Sequence, residues 1–565
     1  MTKGFSEDFC RKHGWWLLLL VTALLYLPGS GTLPLMDRDE PRFAHATVEM
    51  MERGTWTIPY FNGEYRFDKP PLTYWWMRLH YSLLGVNEMA ARLHSVTATW
   101  LVALVIAGIG SRMSTRRTGV AAGVAWLTTL QVIVHGRLCV ADMPMVLCVA
   151  LASRAIMELL GLFGEKPDAA ASAKWFWVLW VSLGLGFLAK GPIAWLVPGV
   201  GLGLWRWAFW RQPVAWARLH LWPGLLITLV IISAWGVPAL LETRGAFWQV
   251  GMGEHIVKRG TDVFNGRAFV PGYYFVTALV SLFPWIGFLP TMIRMLRAEW
   301  TPQCAFLVSW FAAPYLIFFA YATQLPHYVM PGFPAFALLA VMACVSFEVP
   351  ASKWSFGLTF GFLMLLLGLG LKVAAESADG ITPELKAWLV EAGGLLKMIA
   401  FSGGLLFLLP WQKRWLAGFL LMVVAGTIAM TCGQLREVSP VVALKKRHGD
   451  SLKDADLIAC HFTEPSLVFY ANREWKFTGK FETVDRHLSK PGKKLAVLLR
   501  REWTLNGWLQ HQTGRGKPDA STPDRDLSAE VDALRARHPE ARASMVSGLN
   551  LARSSWVEIT VLTRD

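Results

Sequence analysis

The chain has 565 residues, of which 54% are hydrophobic and 17% charged, well below the roughly 25% charged residues of soluble domains. With 29 Trp, 32 Phe and apolar residues gathered into long runs, the composition excludes a string of soluble domains and describes a multi-pass membrane protein. A net charge of +15 would direct a soluble protein toward nucleic acid, but here basic cytoplasmic loops account for it, and no nucleic-acid partner is expected. Seven Cys is an odd number without metal-ligand spacing. Five of them, Cys139, Cys148, Cys304, Cys344 and Cys432, lie in or beside apolar runs, which argues against a disulfide framework.

A spanning helix needs about 20 mostly apolar residues. Spans are expected near 15–33, 93–113, 118–135, 140–163, 175–189, 191–210, 221–241, 273–295, 304–321, 329–347, 354–374, 394–410 and 415–432, about thirteen in all. Segment 72–86 reads as a partial span or an interfacial helix. Lys3, Arg11 and Lys12, Arg112, Arg116 and Arg117, Arg206, Arg211 and Arg218, Arg294 and Arg297, and Lys413 and Arg414 all fall on one side of thirteen spans, which makes that side and the N-terminus cytoplasmic. An odd count carries the C-terminus outside, into the periplasm if the membrane is a bacterial inner membrane. Residues 1–432 thus read as a membrane domain and 433–565 as a small soluble α/β domain, with strand-like segments LIACHF, SLVFY, KLAVLLR and WVEITVL. The Arg-rich stretch 535–542 reads as a solvated helix face.

The first outer loop is rich in candidate chemistry. Asp39-Glu40-Pro41-Arg42 opens a stretch in which Phe43, Thr47, Met50 and Met51 recur at helical spacing up to Gly54. Asp39 is the expected N-cap, and the helix is expected to lie on the membrane with its Met and Phe face in lipid. Asp39 and Arg42, three apart, would face the same way. Taken alone, Asp39 is equally a simple cap and Arg42 a headgroup anchor. Farther on, Tyr65-Arg66-Phe67-Asp68-Lys69-Pro70-Pro71 sets two cations and an acid in a proline-stiffened stretch. A Lys there suits a lipid-linked phosphate or snorkels to headgroups.

Asp142 places a carboxylate at the outer end of an apolar helix, as a cap paired with Arg137 or as a group facing a cavity. His255, in Glu254-His255-Ile256, offers a ligand to a metal or a phosphate, although a lone His is more often neither. Gln324-Leu-Pro-His327-Tyr328 forms a polar turn between spans. All four clusters fall on one side of the membrane, which favours an active-site cavity over unrelated caps. A transporter or flippase is the rival reading, but paired repeats with polar sites at the midplane are not visible. A scaffold presenting the soluble domain is a weaker third, which leaves Asp39 and Asp142 unexplained.

The segments DEPRFAHATVEMMERGTWTIPYFNGEYRFDKPPLTYWW, RLCVADMPM, EHI and LPHYVMPGFPAFALL resemble bacterial GT-C membrane glycosyltransferases. These are related to the protein O-mannosyltransferases and, more closely in length and layout, to the aminoarabinose transferase that modifies lipid A. The resemblance implies a GT-C fold with interfacial helices in its outer loops and transfer of a sugar, such as 4-amino-4-deoxy-L-arabinose, from an undecaprenyl (polyprenyl) phosphate donor. The acceptor it implies is lipid A, or another glycan or protein, at the outer face of the inner membrane. By the same resemblance Asp39 and Asp142 are the catalytic acids, and Arg42, Lys69 and Tyr328 hold the donor phosphate. Asp68 and His255 match positions that contribute to a metal site, for zinc or another divalent ion, with Asp68 standing where that transferase has Glu.

Overall fold

The computed structural model describes residues 6–164, 167–210, 215–251, 270–319, 321–346, 438–504, 523–550 and 555–564, with the isolated positions 365, 369, 436 and 553. The spans expected near 354–374, 394–410 and 415–432 fall outside these, apart from positions 365 and 369, as do His255 and Cys432. Chain order begins with α1 (Glu7–Tyr26), α2 (Glu40–Glu52), the hairpin β1 (Tyr60–Phe61) and β2 (Glu64–Tyr65), and α3 (Leu72–Leu84). Then come α4 (Glu88–Met113), α5 (Arg116–Leu127), α6 (Leu130–His135), α7 (Asp142–Leu159), α8 (Ala169–Lys190), α9 (Ile193–Gly203) and α10 (Leu221–Glu242). Besides a few short turns of helix, this part continues with α11 (Tyr273–Ser281), α12 (Leu289–Ala298), α13 (Pro302–Phe319) and α14 (Phe333–Ser346), the last entered through a 3-10 helix at Pro326–Gly332.

Among the described residues five helices are long and apolar enough to cross a membrane, or six if Tyr273–Ser281 and Trp285–Ala298, bent by 104°, count as one broken span. Several expected spans differ in detail. The first helix stops at Tyr26 and does not run to residue 33, because Pro28 and Gly29, at φ 81°, follow it at once. The span expected over 118–135 breaks at Thr128-Thr129 into α5 and α6. Segment 72–86 becomes α3, whose 13 residues cover about 20 Å at 1.5 Å each, too little to cross. Close helix approach depends on small residues: a Cβ on Gly119 would lie 2.2 Å from the Ala107 carbonyl, so α5 seats against α4 only with glycine there.

The structure corrects the expectation for α2. Its Phe43, Ala44, Ala46, Thr47, Val48 and Met50 are buried not in lipid but against Tyr74, Met77 and Tyr81 of α3, Ala90 and Ala91 of α4, and Cys139 to Ala141. An apolar stripe identifies a face to be covered; what covers it is decided by the neighbouring helices. The start of α2 is anchored by Glu40, which pairs with Arg92 through Nε at 2.9 Å and Nη2 at 2.8 Å. Arg92 spends its other donors on the carbonyls of Ser30, Leu33 and Pro34, so all five of its N–H groups are used. Glu40 also accepts from the backbone N–H groups of Met36 and Cys139. Removing one partner of so buried a pair costs about 3–5 kcal/mol. Glu40→Ala is therefore expected to lower the melting temperature and yield of folded protein markedly, as read by thermal unfolding in detergent, whereas exposed Glu64→Ala should do neither.

The C-terminal part opens with α15 (Pro440–Asp454), followed by β3 (Asp456–Cys460), α16 (Pro465–Ala471), β4 (Lys476–Thr478), α17 (Phe481–Leu488) and β5 (Lys494–Thr504). It ends with β6 (Arg525–Asp526), α18 (Ser528–Arg537), β7 (Arg542–Asn550) and β8 (Ser555–Arg564). The main sheet order is β4-β3-β5-β8-β7, with β6 on β5; β3 runs parallel to β4 and β5, and β8 antiparallel to β5 and β7. Along β5, Leu495, Val497 and Leu499 join the core under α15 and α16, while Ala496 and Leu498 join Val484 and Leu534 on the other face. Burial on both faces explains the unbroken apolar run and makes this an α/β unit, as expected. SLVFY, expected as a strand, lies within α16: Pro465 opens the helix and Asn472, at φ 51°, closes it. The stretch 535–542 is a helix only to Arg537 and enters β7 at Arg542.

Candidate active site

The first loop turns back on itself at Asn62-Gly63, whose φ angles of 58° and 79° close a two-residue hairpin pairing Tyr60 with Tyr65 and Phe61 with Glu64. Asn-Gly is the strongest short hairpin signal, and the sequence reading overlooked it. Glu49 of α2 accepts from the Asn62 and Gly63 N–H groups at 2.5 and 3.1 Å and faces His45 at 3.3 Å. Burial raises the Glu49 pKa, but His45 and these N–H groups more than offset that and hold it below the usual glutamate range. The hairpin closes through Arg66 N–H donating to the Pro59 carbonyl at 2.8 Å.

Arg66 is then folded inward. Its Nε donates to the Tyr74 hydroxyl at 3.0 Å, its Nη1 lies 3.1 Å from Asp68, and its guanidinium sits 5.1 Å from the centre of the Phe43 ring. Burial opposes its charge, yet Tyr74 and Asp68 outweigh that and raise its pKa. Lys69 follows, its ammonium donating to the Asp68 carbonyl at 3.0 Å. Pro70 and Pro71 lead directly into α3.

These segments border a cavity of about 240 Å³ lined by Asp39, Lys69, Asp142, Lys190, His327 and Tyr328 among others. Asp39 stands at the N-cap of α2 but makes no side-chain capping bond and is exposed, so its carboxylate is available to the cavity. Asp142, at the start of α7, is not paired with Arg137. That side chain reaches the Leu25 carbonyl, and the partner of Asp142 is Lys190, the last residue of α8, at 2.5 Å. His327 stands 3.9 Å from Asp142, with its ring 4.6 Å from that of His135. The Lys190 ammonium lies 5.7 Å from the centre of the Tyr328 ring.

Of the expected residues, Asp39, Asp68, Lys69, Asp142 and Tyr328 thus line one cavity. Arg42 lies beside it and does not line it; burial and the neighbouring Arg66 lower its pKa, against Asp68, Asp39 and Glu464. Lys190 was missed. Its signal is a lone ammonium ending an apolar helix before Gly191-Pro192, an ionisable group in a span that calls for a partner.

A second cavity, of about 200 Å³, shares Asp68, Lys69 and Lys190 with the first and is otherwise walled by Phe67, Phe187, Trp235, Leu240, Phe247 and Trp248. A polar chamber and an apolar one therefore meet at two lysines. For the expected metal, the Asp68 carboxylate is already held by Arg66, and among the described residues no three His, Cys, Asp or Glu side chains gather closely enough to hold an ion. The other expected ligand, His255, lies outside the described residues.

A protein-family model described as dolichyl-phosphate-mannose-protein mannosyltransferase matches residues 68–237. The undecaprenyl phosphate-alpha-4-amino-4-deoxy-L-arabinose arabinosyl transferase of Edwardsiella ictaluri is 30% identical over 367 residues, 63% of this chain and 64% of that one. The chain thus spans just under two thirds of that relative's length. The protein of the same description from Pectobacterium atrosepticum is 29% identical over 440 residues, 73% of this chain and 75% of its own. In fold, the crystal structure of ArnT from Cupriavidus metallidurans bound to undecaprenyl phosphate superposes with a TM-score of 0.76 at 19% identity, over 98% of both chains. The chain is thus similar in sequence to these aminoarabinosyl transferases and, over part of its length, to the mannosyltransferase family, and it shares the fold of the ArnT structure.

Proposed function

We propose that this protein transfers a sugar, 4-amino-4-deoxy-L-arabinose by the names of its relatives, from undecaprenyl phosphate to lipid A or another acceptor at the periplasmic face of the inner membrane. The observation that carries this reading is the junction of the two cavities at Lys69 and Lys190. The polyprenyl chain occupies the aromatic chamber, the phosphate sits between the two ammonium groups, and the sugar projects into the polar chamber toward Asp39. Breaking the bond between the anomeric carbon and the phosphate oxygen leaves charge on phosphate, which needs cations more than a proton. Asp142, 2.5 Å from Lys190, aims its ammonium, and Arg42 adds positive potential beside the cavity. Tyr328 walls the phosphate side. A hydroxyl acceptor loses its proton to Asp39; a phosphate acceptor is already ionised, and Asp39 then orients the sugar amine.

With this assignment the chain divides into a membrane domain over 1–432 with about thirteen spans and a periplasmic domain over 433–565, with the N-terminus in the cytoplasm. The grouping of the charged side chains at the end that carries the α/β unit favours a transferase over a transporter, whose sites sit near the midplane. The test is transfer of labelled sugar from the undecaprenyl phosphate donor to lipid A in membranes containing wild type or Asp39→Ala. Transfer by the wild type and its loss in the variant is expected; equal transfer by both would sink the assignment.

A further inference from the structure

Helix α16 touches both halves of the first loop. At its first turn, the Ser466 backbone N–H and Oγ donate to the two carboxylate oxygens of Asp37, each at 2.8 Å, and Asp37 lies two residues before Asp39. Just past its end, Trp475 and Asn62 pair reciprocally: Trp475 N–H donates to Asn62 Oδ1 at 2.7 Å, and Asn62 Nδ2 donates to the Trp475 carbonyl at 2.8 Å. Asn62 is the hairpin tip that leads into Arg66 and Lys69. Between the two grips, the Tyr470 hydroxyl accepts from Leu35 N–H at 3.0 Å and meets Glu88 at 3.3 Å.

The segment that joins these grips is itself stiff. The Trp475 indole N–H donates to the Leu467 carbonyl at 3.1 Å, tying the far end of the unit back to its first turn. Leu467, Val468 and Trp475 are all buried in the core of the α/β unit. Ser466 to Trp475 is thus a short closed block, holding the Asp39 side of the loop with one end and the Lys69 side with the other.

We propose that this block sets the separation between Asp39 and Lys69, with Ser466 and Asn62 as positioning residues, so that the C-terminal domain acts as a gauge for the donor site. The proposal rests on the assignment of Lys69 to the donor phosphate. Pro70 and Pro71 fix Lys69 from the α3 side, and the Asn62 grip fixes it from the hairpin side. Without that grip the hairpin keeps its Glu49 bonds but can tilt on them, and displacements of about 1 Å are enough to cost a factor of up to 10² at a preorganised site.

The experiment uses the full chain in lipid nanodiscs, with hydrogen exchange over Glu64 to Lys69, binding of undecaprenyl phosphate and thermal unfolding as readouts. Asn62→Gly removes the amide while keeping the left-handed backbone that glycine adopts freely. Ser466→Ala removes one bond at the other end, and Ser466→Thr restores the hydroxyl. Asn62→Gly is expected to speed exchange in the segment and weaken undecaprenyl phosphate binding about tenfold with the melting temperature unchanged. Ser466→Ala should move binding in the same direction and Ser466→Thr should recover it.

Unchanged exchange and affinity in Asn62→Gly, or an affinity loss that only follows a loss of folded protein, would overturn the gauge. If the wild type binds no undecaprenyl phosphate, the donor assignment fails, and the exchange result alone then decides whether the grip holds the loop.

Discussion

Lys69→Ala is expected to lower kcat/KM for transfer from the undecaprenyl phosphate donor by about 10²–10³, the usual loss when one preorganised group facing developing charge is removed. Lys69 lines both cavities, so the proposed phosphate must pass it, and it is seated by the Asp68 carbonyl and the following prolines. Little change in stability is expected, because the ammonium borders open cavity space and the backbone around it is held by other groups. Lys69→Arg should recover only part of the rate, since a planar fork replaces a point charge at a site shaped for the latter. Transfer assays with purified protein and synthetic donor would check this; Lys69→Ala within threefold of wild type would remove the lysine from the phosphate site.

A loss of similar size but different character is expected at Lys190. Its pair with Asp142 leaves the two side chains 16% and 8% exposed, and breaking a buried pair from one side costs about 3–5 kcal/mol. Lys190→Met should therefore lower both stability and transfer. Lys190→Met combined with Asp142→Asn leaves no stranded charge and should regain much of the stability, yet remain inactive if Lys190 holds phosphate. Asp142→Asn alone keeps the ammonium but frees its aim, and an intermediate rate is expected. Recovery of transfer in the double variant would reduce this pair to a structural tie, and thermal unfolding beside the transfer assay separates the outcomes.

How much of this was legible before any coordinates follows from the range over which each signal acts. The outer clusters containing Asp39, Lys69, Asp142 and Tyr328 could be read because charges and prolines in otherwise apolar sequence are locally conspicuous, and the cavity brings all four together. The partner of Asp142 could not. Arg137, five residues away, was the nearest candidate along the chain, whereas Lys190 is 48 residues off and meets it only because α7 and α8 pack side by side. The same holds for Glu40 with Arg92, separated by 52 residues. SLVFY was misread because five apolar residues suit a strand or a buried helix equally; its flanking Pro465 and Asn472 held the answer.

Composition, charge and short apolar runs by themselves determined the membrane class, the α/β nature of the C-terminal part and the loops that deserve attention, because burial in lipid, strand-like runs and loop polarity are properties of short segments. Only the tertiary structure decided that α2 is covered by protein and not by lipid, that Lys190 joins Lys69 where two cavities meet, and that the block from Ser466 to Trp475 grips the first loop at Asp37 and Asn62. Each of these depends on which distant segments pack together. That choice is made by the summed fit of many side chains, and no local pattern carries it.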